Sequence, residues 1–389
     1  MKALAALLLV VSAGDHDRID APILFPCTVA DLGLSPDDEA FALFEQGVKE
    51  PTPVFFQFTG DGRMVWTLPG KTPKGTTRTF KLTRLSPAQA NNLKPTLRPH
   101  IPDDGSYVQM NHGGKPVLRY NHKVVKRFPD KPDKMDRGCY FHPLWTPSGK
   151  VVTGDFPADH LHHRGLWFSW VVANQGQTKA NFWEFWQGHG QTINKKLTAG
   201  AGPAFARFVV QNECVSGGKT LLKETLTCRV YPRPTDVWLV DLDVKHEAVG
   251  GDVVLGKKHY GGLGFRGLDA WDGKDAPIDV VTSEGDKGRA GNAKPARWVD
   301  YTGKLPNGEW GGMLLIEHPD NPRYPNRLRI HPTMPFLSTT LCAPGPYTIK
   351  QGEPLLLRYR LVLHDGRPDK ALADRLAADF VTPPKVELK

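Results

Sequence analysis

An all-β chain, built as a large antiparallel β-sandwich with a small N-terminal β-domain and a C-terminal helix, is what this sequence predicts. Three observations carry the prediction. Strand-length apolar runs recur between turns at residues 117–120, 166–172, 204–211, 221–231, 237–244, 313–317 and 355–363, the spacing of a sandwich. No ten-residue helical pattern separates them, which argues against a parallel α/β sheet. The 39 glycines and 34 prolines supply turns in a number that suits many short strands.

Taken in order, residues 1–13 carry one basic residue, Lys2, then an apolar run, then Ser12 and Ala13 where a signal peptidase would cut. They read as a signal peptide, with a buried first strand as the alternative, and imply a periplasmic or extracellular protein. Residues 20–99 form the small N-terminal β-domain, in which two alternating runs flank the turn Gly60-Asp61-Gly62. Residues 35–46 suit a helix start at Ser35-Pro36-Asp37 or a strand through Phe41 and Leu43. Residues 86–105, broken by Pro87, Pro95, Pro99 and Pro102, are a linker. The main sandwich spans 106–380. Its last piece is a helix over 368–380, with Pro368 in the first turn and Leu372, Leu376 and Phe380 on one face.

With 40% hydrophobic and 23% charged residues the chain is globular and not disordered. The net charge of +9 comes from basic residues scattered among turns and carboxylates, so it describes a solvated surface and excludes nucleic acid as the partner. No apolar run reaches the roughly 20 residues of a membrane span. Cys27, Cys139, Cys214, Cys228 and Cys342 make no Cys-x-x-Cys pair, hence no zinc ribbon, redox motif or disulfide framework; they read as buried thiols.

The densest chemistry lies in residues 154–170, where three imidazoles, two carboxylates and a guanidinium precede an apolar run. Extended from residue 162 onward, the chain would place His162 and Arg164 on one face and His163 on the other. Both faces of the run that follows are apolar, so the strand belongs in the middle of the fold with its polar start at a rim. One histidine there would be an ordinary hydrogen-bonded rim residue; His160, His162, His163, Arg164 and Asp159 together point to a site. Histidine titrates near neutral pH and exchanges protons. In this reading His162 or His163 moves a proton, Arg164 stabilises developing negative charge, and Asp159 or Glu184 orients an imidazole. Gly154, His160 and His162 also open a cupin-like Gly-x5-His-x-His pattern, but Leu166 and Trp167 stand where its glutamate belongs. The sequence therefore assigns no metal ligand and no cofactor.

Weaker signals surround the cluster. His142 precedes a short hairpin that leads into it, and His122 ends another strand-like run. Residues 182–186 alternate Phe182, Glu184 and Trp186 against Trp183 and Phe185, a pattern equally suited to core packing or to stacking on a sugar with a carboxylate between. Gly262, Gly264 and Gly267 mimic a dinucleotide fingerprint, but no helix follows. Glycines in a strand instead mark close backbone approach beside Tyr260 and Arg266. His318 and Asn321 lie in a rigid proline-rich loop.

In order and spacing, Tyr120-Asn121-His122, His142-Pro143-Leu144, the run from Asp155 to Gly165, Asn181-Phe182-Trp183, Arg297 to Tyr301, His318 to Asn321 and His364-Asp365-Gly366 resemble the PmoA-like family. That family has carried the name methane oxygenase. The histidine segment is also distantly similar to galactose-mutarotase-like sandwiches. The second resemblance implies a supersandwich that binds sugar in a cleft through His, Arg, Asn and carboxylates. The expectation is an exported carbohydrate-active protein using histidine acid–base chemistry on a sugar or glycoside. Its alternatives are a metal-dependent, oxygenase-like oxidoreductase and a non-catalytic carbohydrate-binding protein. The residues assigned to substrate are His122, His142, His160, Glu184, Tyr260, Arg266, His318 and Asn321.

Overall fold

The computed structural model describes residues 7–34, 40–90, 96–232 and 237–389. Two eight-stranded antiparallel sheets form the body. The first runs, in spatial order, Arg327–Ile330, Phe336–Thr340, Gly262–Arg266, Leu166–Ser169, Tyr140–Leu144, Lys115–Asn121, Tyr107–His112 and Leu97–His100. The second runs Gln191–Ala201, Ala206–Ser216, Lys219–Tyr231, Val237–Ala248, Leu355–Asp365, Trp310–Glu317, Trp298–Lys304 and Ile278–Thr282. Phe141, Leu166, Phe168 and Phe265 of the first share one core with Phe208, Leu226, Leu242, Met313 and Leu361 of the second. This is a sandwich, as the apolar runs predict. A smaller four-stranded sheet of Ala173–Gln175, Thr178–Ala180, Val253–Leu255 and Tyr347–Ile349 completes this part.

Local sequence explains how the strands pair. Ala206–Ser216 alternates buried and less buried residues, the period of a strand with one face inward. Its hairpin with Lys219–Tyr231 turns on Gly217 and Gly218, whose φ values of 55° and 75° meet the requirement of a two-residue hairpin loop for positive φ at both positions. Leu166–Ser169 is buried at every position. Leu166 and Phe168 enter the sandwich core. Trp167 points the other way, into a second apolar cluster with Tyr140, Val171, Trp183, Met334 and Phe336. That outer cluster is the floor on which the candidate site is built.

The N-terminal unit has two small sheets: Lys385–Leu388, Leu8–Ser12, Thr77–Arg84 and Phe41–Glu45 in one, Arg18–Pro26, Arg63–Thr72 and Phe56–Phe58 in the other. They enclose Leu9, Val11, Ile23, Met64, Trp66 and Phe80. Two sequence alternatives resolve here as strands, and the expected linker gives way to one. The apolar run of residues 1–13 includes the strand Leu8–Ser12, with Leu9 and Val11 fully buried, while residues 1–6 lie outside the described residues. The unit thus draws in strands on both sides of 20–99. Residues 35–39 also lie outside; Phe41–Glu45 is a strand. Within the expected linker 86–105, residues 91–95 lie outside, and Leu97–His100 is the edge strand of the first large sheet. Pro99 hid it, and an edge is where a strand tolerates proline.

The helix Lys370–Val381 is capped by Asp369, whose carboxylate accepts from the backbone N–H groups of Ala371 and Leu372 at 2.9 and 3.1 Å. Pro368 therefore precedes the helix. Leu376 and Phe380 are buried against the sandwich, and Asp379 receives Arg18 Nη1 at 2.9 Å, which ties the helix to the N-terminal unit. All five cysteines are free and buried. Among the described residues no helix is long and apolar enough to cross a membrane.

Candidate functional site

The histidine cluster occupies a loop, residues 155–164, standing on the outer apolar cluster. Asp155 and Arg164 pair across its foot as an antiparallel bridge. Below them, Gly165 N–H donates to Gly154 O at 2.8 Å and Arg266 N–H to Gly165 O at 2.7 Å. Gly165 has φ 54°, and a Cβ there would lie 2.0 Å from Phe141 O. Only glycine fits where the loop meets the strand.

Arg164 seals the foot. Its guanidinium bonds the Asp155 carboxylate and the Tyr140 hydroxyl, donates to Met135 O at 3.2 Å, and lies 3.5 Å from the Phe156 ring centroid. The side chain has no solvent exposure. The expected role in stabilising a ligand's negative charge is corrected: its donors serve the loop. Arg266 is equally buried and holds Asp159 bidentately at 2.8 and 3.0 Å, with Asp272 at 3.2 Å. It is a brace and does not line the cavity. Asp159 also meets His160 Nδ1 at 3.0 Å. Burial pushes the Asp159 carboxyl up, but the bonds to Arg266 and His160 outweigh it and hold the carboxyl below its ordinary value.

The strand begins at Leu166, after the histidines, so they do not alternate between faces. Two consecutive turns, His160 N–H to Pro157 O and His163 N–H to His160 O, bring all three rings together. His160 stacks on His163 with centroids 4.9 Å apart, His162 meets His163 edge-on at 4.5 Å, and His162 lies 4.1 Å from Trp186. His163 is then pressed against Phe336 at 4.9 Å. Around them opens a cavity of about 240 Å³, lined also by Trp183, Glu184, His259, Tyr260, Arg329 and His331.

Burial, and then the neighbouring His160, pushes His162 down to about 3. His163 is driven well below its ordinary value by burial and then by His162. Burial therefore disfavours the imidazolium form of both rings. Among the described residues His163 Nδ1 is buried without a hydrogen-bond partner. His160, 40% exposed and held at Nδ1 by Asp159, has the geometry of an acid–base imidazole, with the carboxylate fixing the tautomer. Glu184 accepts from the Tyr260 hydroxyl at 2.9 Å and from Asn181 at 2.8 Å. Burial and then Glu184 raise the Tyr260 hydroxyl, which keeps its proton.

Residues 182–187 are a capped turn and not the alternating strand expected. Asn181 Oδ1 accepts from the backbone N–H of Trp183 and Glu184 at 3.1 and 2.8 Å, so Trp183, Glu184 and Trp186 all reach this cavity. The remaining assignments fall elsewhere. His142 is mostly buried with Nδ1 on Thr153 Oγ1 at 3.0 Å, a packing role. His318 and Asn321 lie in the loop after Trp310–Glu317 of the second sheet: His318 meets Phe380 at 5.0 Å, and Asn321 bonds the backbone of Arg358 at 2.7 and 3.0 Å. They brace that loop away from the site. His122 lines a separate, neighbouring groove. Sequence reasoning missed His259, Arg329, His331 and Phe336. Of these only the isolated histidines carried a signal, and their convergence comes from the register of distant strands. Among the described residues no three His, Cys, Asp or Glu side chains converge to hold a metal ion.

Residues 107–378 match the model of a family described as a "Family of unknown function (DUF6807)". The matched model is this one and does not bear the PmoA-like name. No curated protein matches the chain. Among solved structures, a GalM/aldose epimerase homologue from C. elegans aligns at 6% identity over 71% of this chain and 100% of its own, with a TM-score of 0.28. A putative mutarotase (YeaD) from Salmonella typhimurium aligns at 10% identity over 71% and 99%, with a TM-score of 0.26. Scores that low do not establish a shared fold.

Proposed function

The chain belongs to the DUF6807 family, and from that premise we propose that its histidine cavity binds a sugar ring and moves a proton on it. The observation that supports this reading is the lining itself: the rings of Trp183, Trp186, Tyr260 and Phe336 interleaved with five imidazoles and one carboxylate in about 240 Å³. Aromatic faces stack on the C–H faces of a sugar while imidazole and carboxylate bond its hydroxyls. The volume suits one ring and not a larger ligand.

His160 is the proton-transfer group. Asp159, itself fixed by Arg266, stabilises the imidazolium that forms when Nε2 takes a proton. Neutral His162 and His163 position hydroxyls, and Glu184 with Tyr260 bonds others. Exchange NMR on a panel of aldoses and glycosides tests the reading. Turnover of at least one sugar is expected, with His160→Gln slowing it roughly a hundredfold or more at unchanged melting temperature. An unchanged rate in that variant overturns the role of His160. The low basicity of His162 and His163 favours a second reading, a non-catalytic sugar-binding protein. Saturable binding that survives His160→Gln, with no exchange in the wild type, would select it. Export is tested separately by N-terminal sequencing of the chain recovered from its host. Loss of residues 1–13 supports it, at the expense of the strand Leu8–Ser12.

A further inference from the structure

A larger groove of about 860 Å³ adjoins the histidine cavity, and Trp186 lines both. Its walls include Phe182, Phe185, His122 and Arg137. Arg137 is only 6% exposed, yet its Nη1 has no hydrogen-bond partner. Its Nε reaches only Gly138 O, at 3.4 Å, and the guanidinium stands 4.8 Å from the Phe185 ring centroid. Among the described residues no carboxylate pairs with it. The two carboxylates in the groove are engaged: Asp136 accepts from the backbone N–H of Arg127 and Asp133 at 2.8 and 3.0 Å, and Asp133 from that of Met135 at 2.8 Å. Among the described residues His122 Nε2, also buried, makes no hydrogen bond of good geometry, although the Asn194 side chain interacts with the ring.

A buried guanidinium without a counter-charge is strongly unfavourable, and its planar fork fits a carboxylate bidentately. We propose that this groove is an anion-binding subsite, in which Arg137 receives the carboxylate of an acidic sugar unit stacked on Phe185 and Trp186. His122 Nε2 supplies a further polar contact. Trp186 then separates this unit from a ring held in the histidine cavity, so the ligand spans at least two sugars. The sugar half of this assignment rests on the reading of the histidine cavity; the anion half does not.

Calorimetric titration with a galacturonate trimer, a neutral galactose trimer and inorganic sulfate tests both halves. The wild type is expected to bind the acidic trimer at least tenfold more tightly than the neutral one, with sulfate competing. Arg137→Met should bring the acidic trimer to the level of the neutral one without lowering the melting temperature, since an unpaired buried charge is removed. Equal binding of the two trimers by the wild type overturns the proposal and needs no variant to fold. If sulfate binds through Arg137 while neither trimer binds, the anion site stands and the sugar reading falls. If both trimers bind alike and sulfate does not, the anion site falls and the sugar reading stands.

Discussion

The foot and the tip of loop 155–164 use the same kinds of side chain and leave them in opposite states. At the foot, Arg164 is wholly buried and bonded to Asp155, Tyr140 and Met135 O. At the tip, His163 is almost as buried, at 3% exposure, and among the described residues its Nδ1 bonds nothing. Arg137 in the neighbouring groove repeats the state of the tip. A polar group left unsatisfied inside a protein is costly, and the unpartnered atoms of His163 and Arg137 border the two adjoining openings, where a ligand would satisfy them.

Breaking the foot should have the largest effect. Arg164→Met leaves the Asp155 carboxylate without its partner, and removing one member of a buried pair costs about 3–5 kcal/mol, to be read as lost stability in urea denaturation. A loss below about 1 kcal/mol would mean that the foot is dispensable. At the tip, the pH dependence of stability comes next. His162 has a folded value of about 3 against about 6.5 when unfolded, so the unfolded state binds more protons between those values. The contribution is complete above pH 6.5 and is lost as pH falls toward 3, at no more than roughly 1.4 kcal/mol per pH unit. His162→Gln should flatten the fall in melting temperature between pH 6.5 and 4.5; an unchanged slope would mean that His162 is already protonated in the fold. The smallest effect on stability is expected from His163→Phe, which keeps a flat ring against Phe336 and removes the unpartnered nitrogen. Stability should stay within about 1 kcal/mol while sugar binding is lost. A large destabilisation would move His163 from site to scaffold.

Much of the scaffold was legible because its signals are local. The apolar runs at 166–172 and 204–211 follow from neighbouring residues, and strands lie within or across them at Leu166–Ser169 and Ala206–Ser216. The cluster at 154–165 was legible as a concentration of chemistry, but its division of labour was not. Asp159 finds Arg266 at a separation of 107 residues, a pairing that depends on Leu166–Ser169 lying beside Gly262–Arg266. That same juxtaposition turns two expected ligand contacts, Arg164 and Arg266, into braces. Alternation misplaced residues 182–186 because Asn181 caps a turn there, and a side-chain cap overrides periodicity. His142 and His318 carry the same residue type as the tip but meet their hydrogen-bond partners within the fold.

The most direct measurement is a crystal structure of the protein soaked with a sugar that it binds in solution. The account predicts a ring stacked on Trp183 or Trp186, with hydroxyls within hydrogen-bond distance of His160 and of His163 or Glu184. A sugar seated elsewhere, for instance beside His318 and Arg358 under the C-terminal helix, with the histidine cavity unoccupied, would contradict it.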